Sequence, residues 1–176
     1  MKSQNILRGD GGSWADHERI YRAHKSRIAG LCRLLLLDPD EADDVVQDVF
    51  LRAFERLRSA EPPEIWEAWL VRVAVNACRD RQRSGWWKSR KKRVEVGEAA
   101  LGLAPSVEAE SIARERQARV WQQVRKLKAQ QRTVFVLRYI EGWSTAEVAS
   151  ALGLSAGGVK THLFRAVRHL RKALER

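Results

Sequence analysis

Apolar residues recur at spacings of three and four over most of the chain, which is the period of an amphipathic α-helix. The clearest stripe covers residues 42–57. No segment alternates apolar and polar residues as a half-buried strand would. The prolines all fall between helical segments, at Pro39, Pro62, Pro63 and Pro105. We therefore predict an all-α fold.

Three helices are predicted before residue 84. The first runs from Ser13, the start of a capping box, to Asp38. The second carries the stripe over residues 42–57, and the third runs from about Glu64 to Arg83. The spacing predicts four residues on the buried side of the third helix: Trp69, Leu70, Val73 and Ala77.

Helical periodicity fails from Ser84 to Ala113, where glycines and Pro105 interrupt a basic and then acidic segment. A stretch of this length and composition is typical of a flexible linker. We therefore predict two small helical domains, residues 14–84 and 114–176, joined by a linker over 85–113.

The second domain is predicted to end in a helix-turn-helix. Ser144 and Glu147 have the spacing of a capping box, Gly153 follows at the turn, and a long helix begins near Ser155. The period of that helix predicts a core side of Val159, Leu163, Val167, Leu170 and Leu174. Its other side is then basic and exposed, as a helix in the DNA major groove would be.

The net charge of +11 is concentrated in two clusters. Eight basic residues and one acid lie in 79–93, and six basic residues and one acid lie in 157–176. Such clusters are typical of a protein that binds a polyanion. Six acids within residues 38–48 form an opposite patch, which predicts a basic protein partner there.

The sequence offers little evidence for a metal, disulfide or phosphate-binding site. Cys32 and Cys78 are predicted to be core thiols, and neither cysteine nor histidine spacing fits a metal site or disulfide framework. Residues 153–161 resemble a phosphate-binding loop, but they are one residue out of step and no strand precedes them. We expect no cofactor and no enzyme activity.

No apolar run approaches the ~20 residues that span a bilayer, and the N-terminal segment has no secretion signal. We therefore expect a cytoplasmic protein without membrane insertion.

Two exposed helix faces stand out. Leu51 is apolar although it lies off the stripe of the second helix, among acids, so it is a candidate contact residue. On the third helix, Asn76 lies within an arginine stripe, with Trp66 near the start of the helix and Trp86 and Trp87 beyond its end. That combination offers base hydrogen bonding, phosphate contact and stacking.

Four segments in this order resemble a bacterial RNA polymerase sigma factor of the extracytoplasmic-function (ECF) type. They are DEADDVVQDVFLRAF (40–54), WLVRVAVNACRDRQR (69–83), QQRTVFVLRYIEGWSTAEVASALGLS (130–155) and GGVKTHLFRAVRHLRKAL (157–174). The resemblance covers both predicted domains.

The resemblance implies two partners, core RNA polymerase and promoter DNA, the latter both as duplex and as single strand. The segment implied to bind core polymerase comprises Asp44, Gln47, Asp48, Leu51 and Arg52. The segment implied to bind the separated strand of the minus-ten element comprises Trp66, Arg72, Asn76, Arg79, Asp80 and Arg83. The helix implied to read the minus-thirty-five element comprises Lys160, Thr161, Phe164, Arg165 and Arg168.

Three residues depart from the family pattern. Asp80 replaces an asparagine found in some relatives, Gly158 replaces the usual threonine, and His162 stands where arginine is common. The glycine is expected to cost about 0.5 to 1 kcal/mol of helix propensity, and the histidine either to remove one cationic contact or to make it pH-dependent.

Relatives of this type are commonly held by an anti-sigma factor, which is therefore an expected partner. Alternatively, the chain belongs to a different class of protein, the free-standing helix-turn-helix regulators, which bind duplex DNA without polymerase. That alternative would leave the acidic Leu51 helix and the Asn76 helix without a function.

Overall fold

The computed structural model describes residues 14–59, 62–84 and 111–175, and within these ranges it contains seven helices and no strand. The all-α prediction is confirmed. The helices are α1 (Trp14–Leu36), α2 (Pro39–Leu57), α3 (Trp66–Arg83), α4 (Ser111–Lys126), α5 (Ala129–Tyr139), α6 (Thr145–Leu152) and α7 (Ala156–Leu174).

Three predicted features fall wholly or mostly outside the described residues. Ser13, the predicted start of the first helix, lies outside them, as do Trp86 and Trp87. Of the predicted linker over 85–113, only 111–113 are described, and they belong to the first turn of α4.

The start of α2 is fixed by local chemistry. Asp38 is the N-cap, and its carboxylate accepts a hydrogen bond from the Glu41 backbone N–H at 3.2 Å. Pro39 occupies the first helical position, where its fixed φ suits the helix. The predicted apolar stripe of α2 is buried except for Phe54, which is half-buried.

Helices α1, α2 and α3 pack against one another, and Cys32 and Cys78 are buried between them as predicted. The predicted buried side of α3 was only partly correct, because Trp69, Val73 and Ala77 are half-buried. The residues that are fully buried are Leu70, Val71, Ala74, Val75 and Cys78. The large Trp69 ring lies at the edge of this stripe, edge-on to Trp66 with ring centroids 5.6 Å apart.

Helix α7 packs against α4, α5 and α6. Val159, Ala166 and Leu170 are its buried residues. Leu174 was predicted to be in the core, but 38% of it is exposed. It is the last residue of α7, so no following turn of the helix covers it.

The first three helices and the last four also contact each other directly, α1 with α5 and α3 with α6. The sequence had not predicted this packing. It places the C-terminal end of α1 beside α5 and the C-terminal part of α3 beside the helix-turn-helix.

Candidate protein and nucleic-acid interfaces

The outer face of α2 is exposed over its whole predicted contact segment. Since positions 45, 46, 49, 50 and 53 point into the core, positions 44, 47, 48, 51 and 52 face outward. Leu51 is 63% exposed, a large apolar side chain in an otherwise polar surface. The exposed predicted residues are Asp44, Gln47, Asp48, Leu51 and Arg52.

The acidic patch of the sequence divides into two parts in the structure. Asp38 and Glu41 are buried, so neither contributes to an exposed patch, and this part of the prediction was wrong. Asp38 caps α2, and Glu41 accepts a hydrogen bond from Arg81 Nη1 at 2.5 Å. Asp43 pairs with Arg33 at 3.0 Å. The exposed acids of the proposed contact segment are Asp44 and Asp48.

Arg81 of α3 lies next to these exposed acids. Its Nη1 is 3.8 Å from Asp44 Oδ2, and its Nη2 is 3.8 Å from Asp48 Oδ2. Arg81 was not predicted from the sequence, because it belongs to a different helix from the acids. The sequence held no signal for this partner, because the burial of Glu41 is seen only in the structure.

The α3 residues predicted to bind the minus-ten strand differ in how exposed they are. Arg72, Asp80 and Arg83 are exposed, whereas Trp66, Asn76 and Arg79 are half-buried. Arg79 Nη1 donates a hydrogen bond to the Ala151 carbonyl oxygen of α6 at 2.6 Å. Arg79 is therefore bound to the helix-turn-helix in this structure.

The helix-turn-helix forms from the local signals in its sequence. The Ser144 hydroxyl accepts from the Glu147 N–H at 3.2 Å, and Glu147 Oε2 accepts from the Ser144 N–H at 2.7 Å, so the capping box is confirmed. The hydrogen bonds from Ser144 lower the pKa of Glu147, because they stabilise its carboxylate. Gly153 has a left-handed backbone with φ of 62°, which glycine adopts without strain.

Ser155 is the N-cap of helix α7, and its hydroxyl accepts a hydrogen bond from the Gly158 N–H at 3.0 Å. The predicted DNA-contacting residues are all exposed, and Phe164 is 66% exposed. They are Lys160, Thr161, Phe164, Arg165 and Arg168. Thr161 Oγ1 also donates a hydrogen bond to the Gly157 carbonyl oxygen at 2.9 Å.

His162 is half-buried on α7. Burial lowers its pKa below the ordinary value, and the positive charge of Arg165 lowers it further. The imidazole is therefore neutral near pH 7, and it does not replace the cation that arginine would supply at this position.

The described residues contain no cluster of His, Cys, Asp and Glu that could hold a metal ion. Within the same ranges, no helix has the length and apolar character required to cross a membrane.

Two family descriptions match the chain. Residues 20–88 match "Sigma-70 region 2", and residues 117–170 match "Sigma-70, region 4". The first match contains the exposed α2 face and the α3 face. The second contains the helix-turn-helix.

Full-length relatives show the same likeness. The chain is 34% identical to the RNA polymerase sigma-E factor of Streptomyces coelicolor, over 93% of this chain and 88% of that protein. It is 30% identical to the ECF RNA polymerase sigma factor SigW of Bacillus subtilis, over 97% and 94% of the two chains.

Solved structures share the fold. CnrH in complex with the cytosolic domain of CnrY is 28% identical, with a TM-score of 0.56 over 93% of this chain and 90% of that one. The sigma factor RpoE from Bartonella quintana, in complex with the anti-sigma factor NepR, is 21% identical with a TM-score of 0.63, over 91% and 97% of the two chains.

Proposed function

The chain belongs to the sigma-70 family of RNA polymerase sigma factors, in its ECF group, and from that premise we propose which of its surfaces meet each partner. A sigma factor directs core RNA polymerase to specific promoters and is an initiation factor, not an enzyme. We assign residues 14–84 to the polymerase and minus-ten domain, and we end the predicted linker where α4 begins, so that the minus-thirty-five domain starts at Ser111.

The outer face of α2 docks on core polymerase. The observation that carries this proposal is Leu51, which is 63% exposed beside the exposed carboxylates of Asp44 and Asp48. An apolar side chain surrounded by acids fits a partner that offers an apolar pocket rimmed by basic residues. Gln47 and Arg52 extend the same face.

Arg81 positions this surface. The hydrogen bond to the buried Glu41 holds the Arg81 guanidinium near Asp44 and Asp48, but beyond hydrogen-bond distance of either acid. Both acids thus stay available to a basic partner while their mutual repulsion is reduced.

The docking test is the double substitution D48K with L51A. Both positions lie off the buried stripe, so the fold should be retained, and an exposed charge contributes little to stability. We expect loss of binding to purified core polymerase. The matched control is E18K, which makes the same charge change at an exposed position on α1. Wild-type affinity of the double variant would refute the assignment.

The face of α3 binds the separated strand of the minus-ten element. Asn76 would hydrogen-bond a base taken out of the stack, an extrusion that costs a few kcal/mol and that binding must offset. Trp66 offers a stacking surface, whereas Arg72, Arg79 and Arg83 would meet phosphates. Asp80 is exposed beside them and would bias which base is accepted.

Helix α7 reads the minus-thirty-five element as duplex. Lys160, Thr161, Phe164 and Arg165 are exposed over its first three turns, where a recognition helix contacts base edges. Arg168 lies one turn further along and would contact a phosphate.

A regulatory protein of the anti-sigma class is a further partner in this proposal. The 28% identical CnrH has been solved in complex with the cytosolic domain of CnrY, which supports a protein partner for this fold. We place the chain in the cytoplasm, where core polymerase and promoter DNA are found.

A further inference from the structure

A cleft of about 580 Å³ lies between the end of α5 and the outer face of α7. Tyr139, the last residue of α5, lines it from one helix, and Leu163, Phe164 and Val167 line it from the other. Tyr139 is 61% exposed and Phe164 is also exposed, whereas the two aliphatic side chains are half-buried. The cleft therefore offers apolar surface from two helices, and its volume falls within the ~300 to 1,000 Å³ typical of small-molecule sites.

The same cleft is strongly basic. Its lining contains a single carboxylate, that of Glu175, and four cations: Lys160, Arg168, Arg171 and Lys172. Within residues 14–59, 62–84 and 111–175, none of these four cations forms an ion pair. Their charge is therefore uncompensated by the protein, and a concave surface of one charge sign attracts an ion of the opposite sign.

The proposed minus-thirty-five contacts account for only part of this lining. Lys160, Phe164 and Arg168 are among those contacts, and phosphate groups would attract the cations alone. Tyr139, however, belongs to a different helix from the recognition residues. A helix that reads the major groove does not need an exposed tyrosine from a neighbouring helix beside it. Apolar surface that is exposed in this way is typical of a binding groove.

One class of ligand matches both properties of the cleft. A neutral apolar molecule would leave the cations without a partner, and an inorganic anion would leave the apolar surface in water. A small organic anion with an aromatic or acyl body satisfies both, since the body removes apolar surface from water and the anionic group accepts hydrogen bonds from arginine and lysine.

We propose that this cleft binds a small amphipathic anion. Its apolar body lies against Tyr139, Leu163 and Val167, and its carboxylate, sulfonate or phosphate group meets Arg171 and Lys172. The long stems of these two cations also border the apolar body, as such side chains do at an amphipathic surface.

Binding in the cleft has a consequence for DNA. The cleft includes Lys160 and Phe164, so a bound anion covers two residues that we assign to the minus-thirty-five contact. The anion and the duplex then exclude each other, and each lowers the affinity of the chain for the other by the same factor. This consequence rests on the proposed function, whereas the existence of the ligand site does not.

The first test compares two fluorescent probes on the full chain. Anilinonaphthalene sulfonate carries an aromatic body and an anionic group, and phenylnaphthylamine has the same ring system without the sulfonate. We expect one binding site for the sulfonate and an affinity about tenfold lower for the neutral probe, because the neutral probe loses hydrogen bonds to charged groups. Equal affinities for the two probes would overturn the proposal.

A substitution of the apolar wall tests the position of the site. Y139A removes the exposed ring without changing the charge, and it should weaken binding of the sulfonate probe about fivefold to tenfold. I140A is the matched control, because Ile140 is the next residue, is also exposed, and does not line the cleft. Thermal unfolding of both variants verifies that they are folded. The same probe affinity in Y139A and I140A would place the probe elsewhere and overturn the site.

A charge reversal tests the anionic contact. The double variant R171E with K172E changes two cations of the cleft that we do not assign to DNA, and it should weaken binding of the sulfonate probe at least about tenfold. The control is R119E with K128E, which makes the same change at exposed positions in the same half of the chain and outside the cleft. Equal loss of affinity in the two double variants would mean that net charge alone attracts the probe, which would contradict the proposal.

A displacement experiment separates the ligand site from its effect on DNA. A mixed-sequence DNA duplex, added at low ionic strength, should release the bound sulfonate probe from the parent chain. If the probe stayed bound to a chain saturated with duplex, the overlap with the minus-thirty-five surface would be wrong, while the ligand site would stand. Failure of the chain to bind the probe would overturn the ligand site and leave transcription by the chain with core polymerase unaffected.

Two results would assign the cleft to a protein and overturn a small ligand. The first is a dimer of the full chain in sedimentation that Y139A dissociates, since a second copy would then fill the cleft. The second is displacement of the probe by a synthetic amphipathic helix of leucine and glutamate that binds more tightly than the sulfonate probe and loses its affinity in Y139A. A monomeric chain whose probe is not released by this peptide supports the small anion.

Discussion

The guanidinium of Arg81 lies 2.5 Å from a carboxylate oxygen of Glu41, joining the C-terminal part of α3 to the first turn of α2. Glu41 is 2% exposed, so its charge depends on this contact for compensation. The pair joins the helix that we propose contacts DNA to the helix that we propose contacts polymerase.

Arg81→Ala should destabilise the protein by about 1 to 3 kcal/mol, because it leaves a buried carboxylate without its main charged partner. Denaturant unfolding measures this loss. Arg83→Ala, at an exposed position two residues later, is the control and should change the free energy of unfolding very little. Equal stabilities of the two variants would contradict the role of the pair.

Asn76→Ala should change base preference at one position of the minus-ten element, by about 1 to 3 kcal/mol. The amide supplies both a donor and an acceptor to a base edge, whereas alanine supplies neither. Transcription from a library of minus-ten sequences reports the preference. Arg83→Ala should instead weaken all sequences evenly, as loss of a phosphate contact does. An unchanged preference in the asparagine variant would remove Asn76 from the proposed site.

Arg165→Ala should reduce initiation at promoters that depend on the minus-thirty-five element, since it removes an exposed cation from the first half of α7. Arg171→Ala makes the same change farther along the helix and serves as control. The comparison uses one promoter with an intact upstream element and one with that element scrambled. Full activity of the Arg165 variant on the intact promoter would refute the contact.

Gly157→Ala should stabilise the protein by about 0.5 to 1 kcal/mol, because alanine restricts the unfolded chain and favours helix. An added Cβ at this position would meet Ser155 Oγ at 3.9 Å, which is ordinary contact. At Gly158 the same distance is 3.3 Å, so Gly158→Ala must displace the capping hydroxyl and should gain less. Thermal unfolding ranks the two variants, and a lower melting temperature for Gly157→Ala would contradict the argument.

Stability should fall as the pH drops below the ordinary histidine pKa of about 6.5, in part because of His162. Its folded-state pKa is lowered by burial and by Arg165, so in this window the unfolded chain binds more protons than the folded one. The free energy of unfolding therefore decreases as pH falls toward and through the folded-state pKa. His162→Gln should lose part of this dependence, which unfolding at about pH 7.5 and about pH 5.5 measures. An identical pH dependence would exclude His162 as a contributor.

Features set by nearby residues could be predicted from the sequence. The α2 stripe, the Ser144 capping box and the turn at Gly153 each depend on residues within a few positions, and all were confirmed. The exposed face of α2 followed from the stripe, since helical geometry leaves the intervening residues outside.

Features that join distant segments could not be predicted. Arg132 and Leu35 are 97 positions apart, and Arg79 and Ala151 are 72 apart. Nothing in helical period indicates which carbonyl a distant arginine will cap. The buried side of α3 was misplaced for a related reason, because spacing alone does not show how far the neighbouring helices cover each residue, and Trp69, Val73 and Ala77 lie at the edge of the packing.

This chain directs core polymerase to promoters, and we propose that it does so through the α2, α3 and α7 surfaces. The most direct test mixes the purified chain with core polymerase free of other sigma factors on a library of random upstream sequences. We predict transcripts whose templates share two conserved elements, and loss of all of them with the D48K and L51A double variant. Tight binding of duplex DNA by the chain alone, without any specific transcript, would contradict the claim and favour a free-standing regulator.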